Sequence, residues 1–384
     1  MKGYFLILHE ESFRRGDGIG KKMRAQIKTF REAGLECEPY FFARNREMEQ
    51  LGFFGKAAYL LPWANFSPCW AWDERLARAD FLYFRHPAAV SAPMRRLLRR
   101  LKAANPGLRV VMEIPTYPYE GELTGAAAAL KPKDRYNRRR LAGLVDALAV
   151  VSDGCRRESL WGLPVITILN GCRVEEISPR HPRREDGSIR LAAVARISRW
   201  HGYDRLIRGM GEYYRNGGSR EIFFHVVGSG RDGALEECRA LAAEYGLEER
   251  VIFHGFQTGA ALDEIYDCCD IGVTTMGMHR KGLAYTSDLK SREYLAKGLP
   301  VISGAAVDVL HGSGCLWYEE FPADDRPIDI GRLIAFYERV YPAGCDRAAV
   351  AEEIRDFARK RCDMAVTLAP VIRYFRGEPG EEPS

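Results

Sequence analysis

The chain has 384 residues, 46% of them hydrophobic and 28% charged, with a formal net charge of +5. Its length exceeds what one core usually supports and predicts two domains of about 150 to 200 residues, with the composition of a soluble globular protein. No apolar run approaches the roughly 20 residues that a bilayer span requires, and the opening Met1–His9 reads as a first buried strand rather than a signal peptide.

The ten cysteines lack Cys-x-x-Cys spacing. Even the adjacent Cys268 and Cys269 read as core packing in a reducing cytoplasm rather than as a disulfide scaffold or a zinc site. The expected location is therefore cytoplasmic, and no metal is expected. Charge is uneven: residues 1–180 carry 30 Lys and Arg against 20 Asp and Glu, and the remainder 27 against 32. A pI near 8.6 without a recognisable binding motif argues against nucleic acid.

In chain order, apolar runs mark strands at Tyr4–Leu8, Phe81–Phe84, Arg109–Met112, Ala147–Val151 and Val165–Leu169, with helical patterns such as Lys21–Ala33 and Ala92–Ala103 between them. This alternation is that of βαβ units. Around Ala92–Ala103, Met94, Leu97, Leu98 and Leu101 share one face while Arg95, Arg96, Arg99, Arg100 and Lys102 occupy the others. That is a solvated face on a core helix or, with Phe53, Phe54, Trp63, Phe66, Trp70 and Trp72 as anchors, a surface for anionic lipid. A second basic run follows at Lys131, Lys133, Arg135 and Arg138–Arg140.

The polar, proline-bearing stretch Pro179–Ser188 reads as an interdomain linker. A second α/β run then has strands at Arg190–Arg196, Ile222–Val227, Val251–His254, Ile271–Thr274 and Val301–Ser303. Its helices lie near Tyr203–Tyr214, Ala234–Tyr245, Gly259–Asp267 and Asp288–Lys297. After Gly312 the pattern is mainly helical, and Gly377–Ser384 reads as a disordered acidic tail.

Four places suit an anionic ligand. Between Thr286 and Ile302, a helix opened by Ser287 or Thr286 as cap and stopped by Gly298 and Pro300 would offer first-turn N–H groups to a phosphate, with Lys290 adding charge and Glu293 further along. The turn holding Gly18 and Gly20 joins a strand to a helix and permits close backbone approach. Arg196 ends a strand and can grip phosphate bidentately, with His201 as a second donor. Gly228-Ser229-Gly230-Arg231-Asp232-Gly233 fits Gly-x-Gly-x-x-Gly, but it follows the second strand of its domain, and the next strand does not end in the acidic residue that holds a ribose. It therefore reads as a turn approached by a nucleotide or sugar rather than as a dinucleotide fingerprint.

The order Arg196…His201-Gly202-Tyr203-Asp204, Val226-Val227-Gly228-Ser229-Gly230, Val251–Gly255 and Leu289-Lys290-x-x-Glu293…Gly298-Leu299-Pro300-Val301-Ile302 resembles the retaining nucleotide-sugar glycosyltransferases of family 4. More loosely, Gly18–Lys22, Glu113–Tyr119, Val151–Asp153 and Asn170-Gly171 continue the likeness, and Pro115–Tyr119 is similar to a bacterial subgroup of cell-surface polysaccharide assembly. The resemblance implies an α/β chain of two Rossmann-like domains facing across a cleft, the B-type glycosyltransferase fold. Residues 1–178 would form the acceptor domain, 189–362 the nucleotide-sugar domain, 363–376 a helix returning to the first domain, and 377–384 a tail.

The resemblance also assigns roles. Arg196, His201 and Lys290 would act on the leaving diphosphate, while Gly228, Gly230, Ser287, Asp288, Leu289 and Glu293 would hold the donor, Glu293 at the ribose. Gly18, Gly20, Glu113 and Tyr117 would lie on the acceptor side, Glu113 being either an acceptor-hydroxyl partner or a cap or ion pair. The implied function is retaining transfer from a nucleotide sugar, a UDP-sugar, to a glycan or lipid-linked glycan acceptor in surface-polysaccharide synthesis. No cofactor or metal is implied, and Asp-x-Asp occurs nowhere in the chain; an anionic membrane surface is a further expected partner, with the protein peripheral at the inner face of the membrane.

Two positions depart from the family pattern: His201 stands where a lysine is usual, and Tyr285 where the first glutamate of the family's pair would be. They keep open a catalytically silent, carbohydrate-binding or scaffold subunit on the same fold. An epimerase, the third reading, needs acid/base carboxylates that the sequence does not place.

Overall fold

The computed structural model describes residues 1–8, 10–15, 18–42, 60–64, 70–117, 125–151, 157–183 and 185–379. The chain divides into two compact units: Met1–Leu169 together with Thr367–Ser384, and Asn170–Val366.

The first unit is built on strands β1 (Lys2–Ile7), β2 (Glu36–Phe41), β3 (Phe81–Arg85), β4 (Arg109–Ile114), β5 (Ala147–Val151), β6 (Ser159–Leu160) and β7 (Leu163–Ile168), in the sheet order β2-β1-β3-β4-β5-β7-β6. All pairs are parallel except β6 with β7. Central strands covered on both faces read as unbroken apolar runs, as Tyr-Phe-Leu-Ile of β1 and Ala147–Val151 do. One face packs Leu82, Phe84, Val110 and Met112 under the helix Ala92–Ala104, whose Met94, Leu97, Leu98 and Leu101 point inward as its periodicity predicts. The other face packs Phe5, Phe81, Tyr83 and Val111 with Met23, Ile27 and Phe30 of the helix Gly18–Glu32.

Leu368, Val371, Ile372 and Phe375, from the end of the chain, complete this second layer. Phe375 lies 4.5 Å from the Phe81 ring, and the Arg109 guanidinium donates to Tyr374 O at 2.9 Å. The helix Met364–Arg376 therefore begins in the second unit and ends in the first.

The second unit holds β8 (Ile189–Val194), β9 (Ile222–Val227), β10 (Val251–Gly255), β11 (Ile271–Val273), β13 (Val301–Ser303) and β15 (Tyr318–Glu320), all parallel, in the order β10-β9-β8-β11-β13-β15. A short pair, β12 (Tyr285–Thr286) with β14 (Ala306–Val307), stands apart. Twelve α-helices are present among the described residues.

Five strands escape the sequence reading: β2, β6, β12, β14 and β15. Of these, β2, β6 and β15 are sheet edges; β2 exposes Glu36 and Glu38, buries Cys37 on one face of the sheet and Tyr40 on the other, and carries Pro39, which an edge tolerates. The stretch Pro179–Ser188, expected as a linker, instead lies on the second unit. Its Arg180 is buried and donates to Cys269 O (2.7 Å), Gly298 O (3.1 Å) and Tyr341 Oη (2.6 Å), and Arg183 pairs with Asp270 at 2.8 Å. The division between the units falls at Leu169–Asn170. Of the expected membrane anchors, Phe53, Phe54 and Phe66 lie outside the described residues, as does most of the expected tail.

Candidate functional site

The carboxyl ends of β8 and β9 are stitched together. Ala195 N donates to Val227 O (3.0 Å), Ile197 N to Ser229 O (2.8 Å) and Arg231 N to Ile197 O (2.7 Å). These bonds set the exposed Arg196 beside the Gly228–Gly230 loop. Gly228 has φ 129°, and a Cβ there would stand 1.8 Å from Ala195 O. Only glycine lets the two strand ends approach this closely. A Cβ on Gly230 would meet Leu235 Cβ at 2.7 Å, so that glycine seats the turn on the following helix.

The helix Leu289–Lys297 opens near this edge. Its cap is Asp288, whose carboxylate accepts from Ser291 N at 2.7 Å, and not Ser287 or Thr286 as expected. The helix starts one residue later than the serine reading requires, and Ser287 Oγ is occupied elsewhere, accepting from Asn170 N (3.1 Å) and Arg292 Nη2 (3.2 Å). Gly298 ends the helix in the left-handed conformation at φ 81°, as its sequence position predicts. The N–H groups of Leu289 and Lys290 lead the first turn at the positive end of the helix dipole.

Arg292, given no part by the sequence reading, fixes the start of this helix against Asn170 and Ser287. It is fully buried, pairs with Asp308, and donates to Asn170 O at 3.0 Å. A signal was available: Arg292 lies one turn from Leu295 and Ala296 on the apolar face of its helix, where a charge requires an internal partner.

The loop after β8 is fixed against the segment 276–283. Met276 N donates to His201 O (2.7 Å), Arg280 grips Asp204 with two bonds of 2.8 Å, and Arg280 Nη1 donates to Arg199 O (2.7 Å). Gly202 and Gly277 touch backbone to backbone, a Cβ on Gly202 meeting Gly277 N at 2.5 Å. This brings Lys281 Nζ to 4.0 Å and Lys290 Nζ to 5.5 Å from the centre of the Trp200 ring, both within cation–π range. Removal from water pushes the Lys290 ammonium down from its ordinary value; Asp288 opposes the shift and Lys281 adds to it.

His201 has a different part from the expected cation. Its ring is buried, stacks on Trp200 at 3.8 Å, and accepts from Ser198 N at Nδ1 (2.9 Å). Burial first, then the charge of Lys290, hold it well below the usual histidine range, so the ring is neutral near pH 7. The second cation of this site is Lys281, which the sequence reading missed because its partner Trp200 is far away along the chain.

Glu293 is half-buried one turn beyond Lys290. Tyr285, at the departing family position, is 47% exposed, and its ring lies 5.6 Å from that of His311, which pairs with Glu320 Oε2 at 2.9 Å. Clustered ammonium and guanidinium groups beside helix-end N–H donors make chemistry for a phosphate rather than for a cation.

In the first unit the expected acceptor-side residues separate by role. Gly18 opens its helix in free space, whereas a Cβ on Gly20 would lie 2.0 Å from Ser12 O, so Gly20 serves helix packing. Glu113 takes the ion-pair alternative. It is fully buried, accepting from Lys22 (2.8 Å), Gln26 (2.6 Å) and Tyr83 (2.5 Å), with Arg85 at 3.8 Å. Burial alone would raise its pKa, but Lys22 and Arg85 outweigh that and hold the carboxyl at about 2. Tyr117 is half-buried just past β4. On the helix Ala92–Ala104, Arg95, Arg96 and Arg99 line a hollow of about 320 Å³ with Ala92 and Trp63, which is 67% exposed.

Residues 188–322 match the family model described as glycosyl transferases group 1. No curated protein matches the chain. Among solved structures, the chain is similar to a glycosyltransferase from Rickettsia africae (TM-score 0.60, 12% identity, 98% of each chain) and to a sucrose-phosphate synthase from Thermosynechococcus elongatus (TM-score 0.62, 14% identity, 98% of each chain). It is also similar to Anabaena HepE in complex with UDP-glucose (TM-score 0.58, 14% identity, 98% of this chain and 99% of that one). The chain thus has the α/β GT-B fold of these glycosyltransferases, and its second unit carries the match to glycosyl transferases group 1.

Proposed function

We propose that the chain is a glycosyltransferase that takes its sugar from a nucleoside diphosphate donor, a UDP-sugar, and passes it to a glycan or lipid-linked glycan acceptor. The observation carrying this reading is the gathering of Lys281 and Lys290 around Trp200 at the opening of the helix Leu289–Lys297, with Arg196 exposed beside the Gly228–Gly230 loop. When the sugar–phosphate bond breaks, negative charge gathers on the leaving diphosphate, and fixed cations and N–H donors stabilise it most at that moment. Glu293 is assigned to the ribose hydroxyls, and the Gly228–Gly230 loop to close approach by the donor. UDP as the nucleotide is supported by the UDP-glucose held by Anabaena HepE, a structural neighbour.

Retention follows from the family resemblance. The acceptor hydroxyl attacks on the face the diphosphate leaves, a phosphate oxygen takes its proton, and the fixed protein cations carry the charge without a metal. In the first unit, the arginine-lined hollow with the exposed Trp63 suits an anionic lipid surface, which fits a protein peripheral at the inner face of the membrane in surface-polysaccharide synthesis. Absence of binding to anionic liposomes at low salt would remove that membrane reading.

The test is thermal stabilisation by UDP, GDP, ADP, CMP and their sugars, on the native chain and on Glu293→Ala, followed by turnover assays. A selective shift lost in the variant, with transfer from that donor, supports the proposal. Binding without turnover would favour the silent subunit, with Tyr285 as its cause. Neither binding nor turnover of any nucleotide sugar would end the transferase reading.

A further inference from the structure

We propose that His225, Cys268 and Cys269 bind one thiophilic cation, zinc, in the second unit, leaving one of its four positions to solvent. A ring nitrogen of His225 and the two sulfurs lie within 4.8 Å of one another, and the sulfurs are 4.0 Å apart. Zinc bonds of about 2.3 Å to sulfur and about 2.0–2.1 Å to nitrogen set tetrahedral ligands roughly 3.5–3.8 Å apart, so small side-chain rotations close the set.

The elements hold these groups firmly. His225 sits mid-strand in β9, registered between Ala192 of β8 and Ile252 of β10. Cys268 ends the helix Ala260–Cys268, and Cys269 follows it directly before β11. This is the amino-terminal side of β11, whereas Arg196 and Gly228 stand at the carboxyl ends of β8 and β9. The site therefore ties a helix to the sheet and takes no part in sugar transfer.

A second observation points independently to a missing ligand. His225 Nε2 is buried and has no hydrogen-bond partner in the described structure. A buried polar nitrogen left alone is costly. The other nitrogen, Nδ1, lies 2.9 Å from His254 Nε2, the second-layer contact that fixes which ring nitrogen presents its lone pair to a metal. Two thiolates and one Zn²⁺ sum to zero charge, which allows the complex to stay largely out of water. The sequence reading dismissed this pair because zinc signatures space their cysteines, whereas here the histidine arrives from a strand more than 40 residues earlier.

The test uses the native full-length chain, purified without chelator. Its metal content is measured; the chain is then stripped and titrated with zinc alone and with cobalt alone. Expected are one zinc per chain, a sulfur-to-cobalt charge-transfer absorption, and a rise in melting temperature with zinc. Both signals should vanish in Cys268→Ser/Cys269→Ser and persist in Cys345→Ser. His254→Ala should weaken zinc binding by about 10- to 100-fold. No zinc uptake and no cobalt–thiolate band in the native chain would overturn the proposal. So would binding unchanged in the double variant, or a Cys268–Cys269 disulfide in the freshly purified protein. Because the native chain alone decides the cobalt result, misfolding of a variant does not protect the idea.

Discussion

The strand ends of the two units make an instructive pair. In the first, Glu113 lies next to last in β4 and meets Lys22, Gln26, Tyr83 and Arg85 in a closed, buried network. In the second, Arg196 stands exposed two residues past β8, and Lys281 and Lys290 gather like charge around one indole ring. Charge near the carboxyl end of an apolar strand is balanced internally in one unit and concentrated in the other. A saturated network specifies a core, whereas a concentration of one sign awaits a ligand of the opposite sign.

Breaking the closed network should have the largest effect. Lys22→Met strands the Glu113 carboxylate, and the cost should be about 3–5 kcal/mol in chemical denaturation. On the open side, Arg196→Ala or Lys290→Ala should leave stability nearly unchanged and lower kcat by about 10²–10³-fold. A stability loss in these variants equal to that of Lys22→Met would erase the contrast between the units. Gly228→Ala drives a methyl into Ala195 O and should cost about 1–3 kcal/mol while weakening donor binding, measured by melting and titration together.

Acidity separates the two regions further. The depressed Glu113 contributes stability that is full above about 4.5, its unperturbed value, and is lost as pH falls toward about 2. His201, held neutral, acts earlier: the unfolded chain takes up its proton below about 6.5 while the folded one does not, so stability begins to fall there. Melting followed from pH 8 to 3 should show both steps, and His201→Gln should shrink the first, which His225 shares, and leave the second. The smallest effect belongs to Tyr285→Glu, which should change the preference among donor sugars with little change in melting temperature.

The central strands were legible because burial on both faces writes an unbroken apolar run. The edge strands β2 and β15 were not, since an edge needs only half that pattern. The glycines of 228–230, Gly298 and Lys290 could be read locally, each acting within a few residues of itself. Lys281, Arg292 and the partners of Glu113 act across the fold; Lys22 is 91 residues from the carboxylate it holds. The start of the helix Leu289–Lys297 was misplaced by one residue because Ser287 and Asp288 both suit a cap, and tertiary demand on Ser287 decided between them.

The position of Phe375 bears on how the protein is born. The amino-terminal unit cannot close its second layer until the final helix has left the ribosome, whereas the other unit has its whole sequence by Val366. Synthesis order and completion order are therefore reversed: the part made first waits for the helix that follows the whole of the second unit. A truncation that removes residues 367–376 would leave Phe30 and Phe81 without their cover.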